Sequence, residues 1–234
     1  MANKTNSTES HNNDLLENPE ALAEQFSRTE HFIENNKSLV STIVGVLLVG
    51  ILGFAFGKYY IDGQNSNGQR DLFQAVYYFE ADSLGKALNG DGNNYGFLEI
   101  IESYGMTDAA NLSNYYAGAT YLKLGDNDNA IKYLSAFSSS DYIIQARAYS
   151  LIGDAMMENG EFAEAASKYE SAAADNANEQ FSPTYLIKAA IANERAGSLS
   201  SAKRNYQEIV DEFFGVPEYQ EAVKQIARLE GLAK

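Results

Sequence analysis

The pattern of apolar and polar positions changes character twice along the chain. Residues 1–17 are mostly Asn, Ser, Thr and acids, so a disordered tail is expected. At Asn18-Pro19-Glu20 a helix is predicted to start, with Asn18 as N-cap and Pro19 at the first helical position. It covers 18–37 and carries Leu22, Phe26 and Phe32-Ile33 on one side. An amphipathic helix of this kind lies on a membrane surface or docks on a membrane partner. Residues 39–57 then read LVSTIVGVLLVGILGFAFG, 19 positions without a charge, of which twelve are Leu, Ile, Val or Phe. As a helix the run spans about 28 Å, against a hydrocarbon thickness of about 30 Å. Lys37 precedes it and Lys58-Tyr59-Tyr60 follow, a cation with two interfacial aromatics. A single transmembrane helix over 38–58 is therefore predicted. The run is too long and starts too late for a signal peptide, and no small-residue cleavage site follows it.

Gly50, Gly53 and Gly57 share one face of that helix, and Gly53-x-x-x-Gly57 is a spacing that lets two helices approach closely. Glycine is also common in membrane helices without such a role. Basic residues do not settle the orientation, with Lys4, Arg28 and Lys37 before the run and Lys58 and Arg70 soon after it.

Residues 59–69 are rich in Gly, Asn and Gln and read as a linker. From residue 70 helical periodicity holds to residue 234, interrupted by Pro183 and Pro217. Within it the chain repeats itself. Gly125, Gly160 and Gly197 are spaced by 35 and 37 residues. Ala130, Ala165 and Ala202 follow each by five, and Leu134, Tyr169 and Tyr206 come four later again. Gly118, Gly153 and Ala190 stand seven positions before the glycines. Each type has a mechanical reason. The small residue lets a second helix approach the first, and the glycine ends the first helix in a left-handed conformation. The alanine sits at the crossing point, and the large residue fills the core. A period of about 34 residues in this register resembles the tetratricopeptide (TPR) helix-turn-helix. The large aromatic usual near the start of the first helix is weak here, where Asn114 and Tyr149 are the nearest positions.

The expected fold is all-α, a single transmembrane helix followed by a TPR-type α-solenoid with repeats at about 111–144, 146–180 and 183–215. The register extends upstream, since Gly96 lies 34 residues before Ala130 and Ile100 matches Leu134. Residues 70–105 therefore read as a degenerate pair, with helices at 70–88 and 95–103 joined by the glycine-rich stretch 89–92. Residues 217–231 are amphipathic and fit a terminal capping helix, which solenoids need over their last core face.

Composition narrows the function. A net charge of -15 argues against a nucleic-acid partner, and no basic stripe with interleaved aromatics is present. The absence of cysteine removes disulfides, thiolate metal sites, cysteine nucleophiles and a lipid-modified cysteine anchor. His11 falls in the tail and His31 close to the apolar run, neither with a ligand set or triad. Asp126/Asp128 and Glu161/Glu164 fall at inter-helix turns or early helix turns, where carboxylates complement helix dipoles. Gly90 and Gly92 follow a helix and lack the lysine of a phosphate loop. No catalytic residue, metal or cofactor is expected, and the chain reads as a protein-binding molecule rather than an enzyme.

The first helices of TPR units usually present positions two, five, nine, twelve and thirteen to a concave face. Counting back seven residues from each small residue gives Leu112, Tyr115, Ala119, Leu122 and Lys123 in the first clear repeat. The second offers Arg147, Ser150, Asp154, Met157 and Glu158, and the third Thr184, Ile187, Ile191, Glu194 and Arg195. Mixed apolar and charged positions suit a polypeptide ligand. No basic cluster recurs that would clamp an acidic peptide terminus.

The stretches FQAVYYFEADSLGKALNGDG (73–92), YGFLEIIESYG (95–105) and NYYAGATYLKLGDNDNAIKYL (114–134), together with the late N-terminal anchor, resemble the YfgM-like ancillary subunits of the SecYEG translocon, in the form typical of Bacteroidota. The resemblance implies a bacterial inner-membrane protein with a cytoplasmic N-terminus and a periplasmic repeat domain. The partners it implies are a SecYEG-type translocon, a periplasmic peptidyl-prolyl-isomerase-like chaperone and nascent secreted chains. It carries over no catalytic residues. The repeats by themselves equally fit a structural scaffold of another envelope complex, such as a division or secretion machine.

Overall fold

The computed structural model describes residues 19–175 and 177–232. Every regular element among them is a helix. Two compact units meet in sequence between Tyr59 and Tyr60.

The first unit contains α1 (Pro19–Asn35) and the first part of α2 (Lys37–Glu80). The helix expected at 18–37 is present, while the tail 1–17 and the Asn18 cap lie outside the described residues. Phe26, Phe32 and Ile33 of α1 are exposed. Asn36 joins the two helices. Its N–H and its Nδ2 both donate to the Phe32 carbonyl, and its own carbonyl accepts from Val40. The most apolar stretch of α2 has a mean hydropathy of 2.5 and no buried residue, so one helix is long and apolar enough to cross a membrane. Its Ser41 and Thr42 hydroxyls donate to the Ser38 carbonyl at 3.0 and 2.8 Å, which pairs them inside the helix. Nothing lies within 4 Å of a Cβ built on Gly50, Gly53 or Gly57.

The second unit continues α2 and adds α3 (Leu84–Asn89), α4 (Phe97–Ser103), α5 (Asp108–Lys123), α6 (Asn127–Ala136), α7 (Tyr142–Asn159), α8 (Phe162–Ala174), α9 (Ser182–Arg195), α10 (Leu199–Glu212) and α11 (Glu218–Leu232). The linker expected at 59–69 is not a loop, because α2 passes through it. The residues that suggested a loop serve packing instead. A Cβ on Gly68 would stand 2.9 Å from Ala109 Cβ and 3.1 Å from the Tyr104 ring. Asn65 Oδ1 accepts from the Ala109 N–H at 3.0 Å, satisfying an orphan donor in the first turn of α5.

α2, α5, α7 and α9 end alike. In each, the residue after a left-handed position donates its N–H to the carbonyl five back: Ser83 to Tyr78, Asp126 to Tyr121, Glu161 to Met156 and Ser198 to Asn193. This is the Schellman closure. Gly125, Gly160 and Gly197 hold the left-handed position at φ 76°, 81° and 76°, and Asp82 holds it at 56°. The upstream pair differs from the expectation here. Its first helix stops at Glu80 rather than 88, and the remainder of the pair is split into α3 and α4. Gly96 is the N-cap of α4 rather than a residue within it, and its Cβ would be 2.3 Å from the Leu88 carbonyl oxygen at the end of α3. Asp91 shapes the intervening loop by accepting from the Asn93 and Asn94 N–H groups and from the Tyr78 hydroxyl.

Pairs α5–α6, α7–α8 and α9–α10 are hairpins. Contacts fall at similar distances on either side of each turn, as between Gly118 and Leu134 or Gly153 and Tyr169, which makes the helices antiparallel. Ala130, Ala165, Ala190 and Ala202 are fully buried, and Leu134, Tyr169 and Tyr206 nearly so. The first helices of two pairs begin before the expected boundaries, at Asp108 rather than 111 and at Tyr142 rather than 146, because Thr107 and Asp141 cap them. α11 buries Ala222 and Leu229 in the same core cluster as Tyr206 and Ile209 of α10.

Candidate protein-binding face

The candidate face is built by α5, α7 and α9, with α11 next in the stack. Tyr115 of α5 is half-buried, its ring 5.3 Å from that of Phe137. Burial raises its pKa, while the charge and a hydrogen bond of Arg147 act the other way. Burial raises Tyr185 as well, again opposed by Arg147. The exposed Arg147 guanidinium is thus set beside two phenols from neighbouring pairs.

Two helical turns on from Arg147, Asp154 accepts three hydrogen bonds from two donors. Tyr169 Oη gives to Oδ1 at 2.7 Å, and Lys188 Nζ reaches Oδ1 at 2.8 Å and Oδ2 at 3.1 Å. Lys188 also donates to Ser150 Oγ at 3.2 Å and stands 5.3 Å above the Tyr169 ring. Burial, then the hydrogen bond to Asp154, raise the Tyr169 pKa. Between α9 and α11, Thr184 Oγ1 donates to Glu218 at 2.8 Å. Arg228 pairs with Glu194, which also accepts from Tyr206 Oη. Ile187, Ile191, Glu194 and Arg195 line a cavity of about 380 Å³ with Gln225 and Arg228 of α11.

No family model matches the chain, and neither a curated protein nor a solved structure matches it.

The sequence-derived positions divide by what surrounds them. Arg147, Glu158, Thr184, Ile191 and Arg195 are exposed, with the Thr184 hydroxyl engaged by Glu218 and Arg147 and Arg195 set beside aromatic rings. Lys123 is exposed but engaged, 2.8 Å from Asp82 and 5.0 Å above the Phe79 ring. Asp154 and Glu194 are held in the ion pairs above. Leu112, Ala119, Leu122, Met157 and Ile187 are half-buried, and Leu112 and Met157 pack on core clusters. Ser150 does not face solvent: it is 2% exposed. Its place is in the core because α7 turns that side toward its neighbours.

Lys188, Tyr185 and Arg228 were not among the positions read from the sequence. The signal for two of them is a fixed step. Asp154–Lys188, Thr184–Glu218 and Glu194–Arg228 are each 34 residues apart, which is one repeat. The acidic turn residues act as caps or lie near them, with Asp126 accepting from the Asn129 N–H at 3.2 Å and Asp128 from Asn159. Among the described residues no group of three or more His, Asp or Glu side chains could hold a metal ion.

Proposed function

We propose that this chain is a membrane-anchored protein-binding subunit without catalytic chemistry of its own. Residues 39–57 cross a membrane once, and the hairpins from α5 onward are TPR-type repeats of an α-solenoid. The observation that carries the reading is the pairing of an uncovered apolar segment of spanning length with a stack of hairpins in which α7, α9 and α11 are linked in turn by side-chain pairs 34 residues apart. Such a stack leaves exposed Arg147, Glu158, Thr184, Ile191 and Arg195 along one set of helices. Mixed charge and apolar surface of that kind suits polypeptide.

The resemblance of residues 73–134 to YfgM-like subunits supports a more specific role. The membrane is then the bacterial inner membrane, with the N-terminus in the cytoplasm and the repeats in the periplasm. The anchor associates with a SecYEG-type translocon, and the repeats receive a peptidyl-prolyl-isomerase-like chaperone or an emerging secreted chain. Weak binding by a short array suffices when the anchor keeps its ligand at high local concentration. The test is purification of the full chain from membranes in mild detergent, with identification of the proteins that accompany it. Translocon subunits are the expected result. Their absence, with another envelope complex recovered instead, replaces this role with that of a structural scaffold.

A further inference from the structure

We propose that the turn between α4 and α5 is a second membrane contact, in which Met106 enters the headgroup layer of the lipid surface. Met106 is 79% exposed, yet the turn that carries it is firmly held. Tyr104 donates to Asp71 at 2.6 Å, and its ring lies against Gly68. Thr107 accepts from the Ala110 N–H at 3.2 Å, and Asn65 accepts from that of Ala109. A methionine on a fixed turn is presented rather than loosely exposed. It lines a cavity of about 190 Å³ together with Tyr60, Ile61 and Gln64 of α2 and the rest of the turn. None of the eight lining residues is charged, in a chain where 21% of residues are. Tyr60 is itself 56% exposed.

The covalent chain decides which surface this patch meets. Tyr60 is three residues beyond Gly57, where the apolar run ends. Within the helix α2 these three residues rise about 4.5 Å. The polar layer on each side of the hydrocarbon is about 5–8 Å deep. A patch built on Tyr60 is therefore tethered at the bilayer surface whatever the orientation of the second unit. Its chemistry fits that layer, with two tyrosines, a methionine and an isoleucine among uncharged polar groups. None of the lining residues is a cation, so the patch itself supplies no attraction to anionic lipid.

This inference rests on the reading of 39–57 as a span, and the experiment separates the two. The chain has no cysteine, so single labels can be placed at will. Met106→Cys, Val46→Cys and Phe214→Cys full-length proteins each carry one environment-sensitive fluorophore. They are reconstituted into phosphatidylcholine vesicles with nitroxide lipids labelled at the headgroup or mid-chain. Phe214 is 82% exposed and lies beyond α10, which makes it the solvent reference. The label at 106 is expected to shift to the blue and lose intensity with headgroup nitroxide, the label at 46 to lose it with mid-chain nitroxide, and the label at 214 to do neither. If 46 is quenched while 106 behaves like 214, the second contact is overturned and the span stands. If 46 is not quenched, the span fails and the contact with it. A shift at 106 that requires a co-reconstituted protein assigns the patch to that protein and also overturns the proposal.

Discussion

Gly118 and Gly85 look alike in the sequence, each a glycine inside a helical stretch, yet they stand in opposite surroundings. A Cβ on Gly118 would lie 2.5 Å from Leu134 Cγ, 2.9 Å from the Leu134 nitrogen and 3.0 Å from the Ala130 oxygen. Two of those atoms are backbone, so the neighbouring helix itself must move. Nothing lies within 4 Å of the corresponding position on Gly85. Gly118→Ala is therefore expected to destabilise by about 1–3 kcal/mol through overpacking. Gly85→Ala is expected to be neutral or to stabilise by up to about 1 kcal/mol, since alanine costs less backbone entropy in a helix. Chemical denaturation of the two detergent-solubilised variants checks the pair. Equal stabilities would mean that Gly118 does not hold a close crossing. The repeat register identified Gly118 because the same need recurs at Gly153 and Ala190. Nothing in the sequence distinguished Gly68 from a loop glycine, because its reason, the side of Ala109, lies 41 residues away (109 − 68).

At the scale of elements, tyrosine–carboxylate hydrogen bonds tie helices together. Tyr104 donates to Asp71 of α2, Tyr169 to Asp154 of α7 and Tyr206 to Glu194 of α9. The bond to Asp71, then burial, push the Tyr104 pKa up to about 12. Burial first and the carboxylate second raise Tyr169 and Tyr206. An unfolded tyrosine titrates near about 10. A raised folded pKa means that the native state keeps protons the unfolded state has lost. The contribution of these groups is then complete below about pH 10 and falls as pH rises through the folded values. Thermal unfolding is expected to show a steep loss of stability from about pH 10 to 12. Phenolate absorbance of these three tyrosines should appear with unfolding rather than before it. Phenolate formation in a fully helical protein near pH 10 at all three sites would contradict these bonds.

The hairpins themselves were legible, because caps, turn glycines and small crossing residues act within one pair. The cross-pair contacts were less so. Periodicity shows which face a helix buries, but not that Lys188 reaches back to Asp154 or that Ser150 lies beneath it. The same limit hid the helix through 59–69, where Asn65 stabilises an element far along the chain.

At the scale of the whole molecule, the proposed labour divides between two surfaces that can be altered separately. Gly53 and Gly57 have open space around them, so leucine at both adds no clash within the chain itself. If that face packs on a translocon helix, Gly53→Leu with Gly57→Leu removes the close approach and reduces translocon recovery, while the repeats stay folded. Arg147 and Arg195 are exposed on α7 and α9, Arg147 beside the Tyr115 and Tyr185 phenols and Arg195 near an aromatic ring of α8. Arg195 lies 5.8 Å from the Phe162 ring, an interaction worth about 0.5–1 kcal/mol at an exposed site, so its loss is bearable. Arg147→Glu with Arg195→Glu is therefore expected to leave helicity and translocon recovery unchanged and to weaken capture of the soluble partner. The chain already carries a net charge of -15, and each reversal removes a positive charge and adds a negative one on the face proposed to receive ligand. Capture of an acidic partner should fall most, and more at low salt than at high, where the Debye length shrinks. Circular dichroism and paired pulldowns of the two double variants read all of these outcomes. If the arginine reversals lower translocon recovery as much as the glycine replacements do, the two surfaces are not separate, and the assignment of one to the membrane partner and the other to the soluble one is wrong.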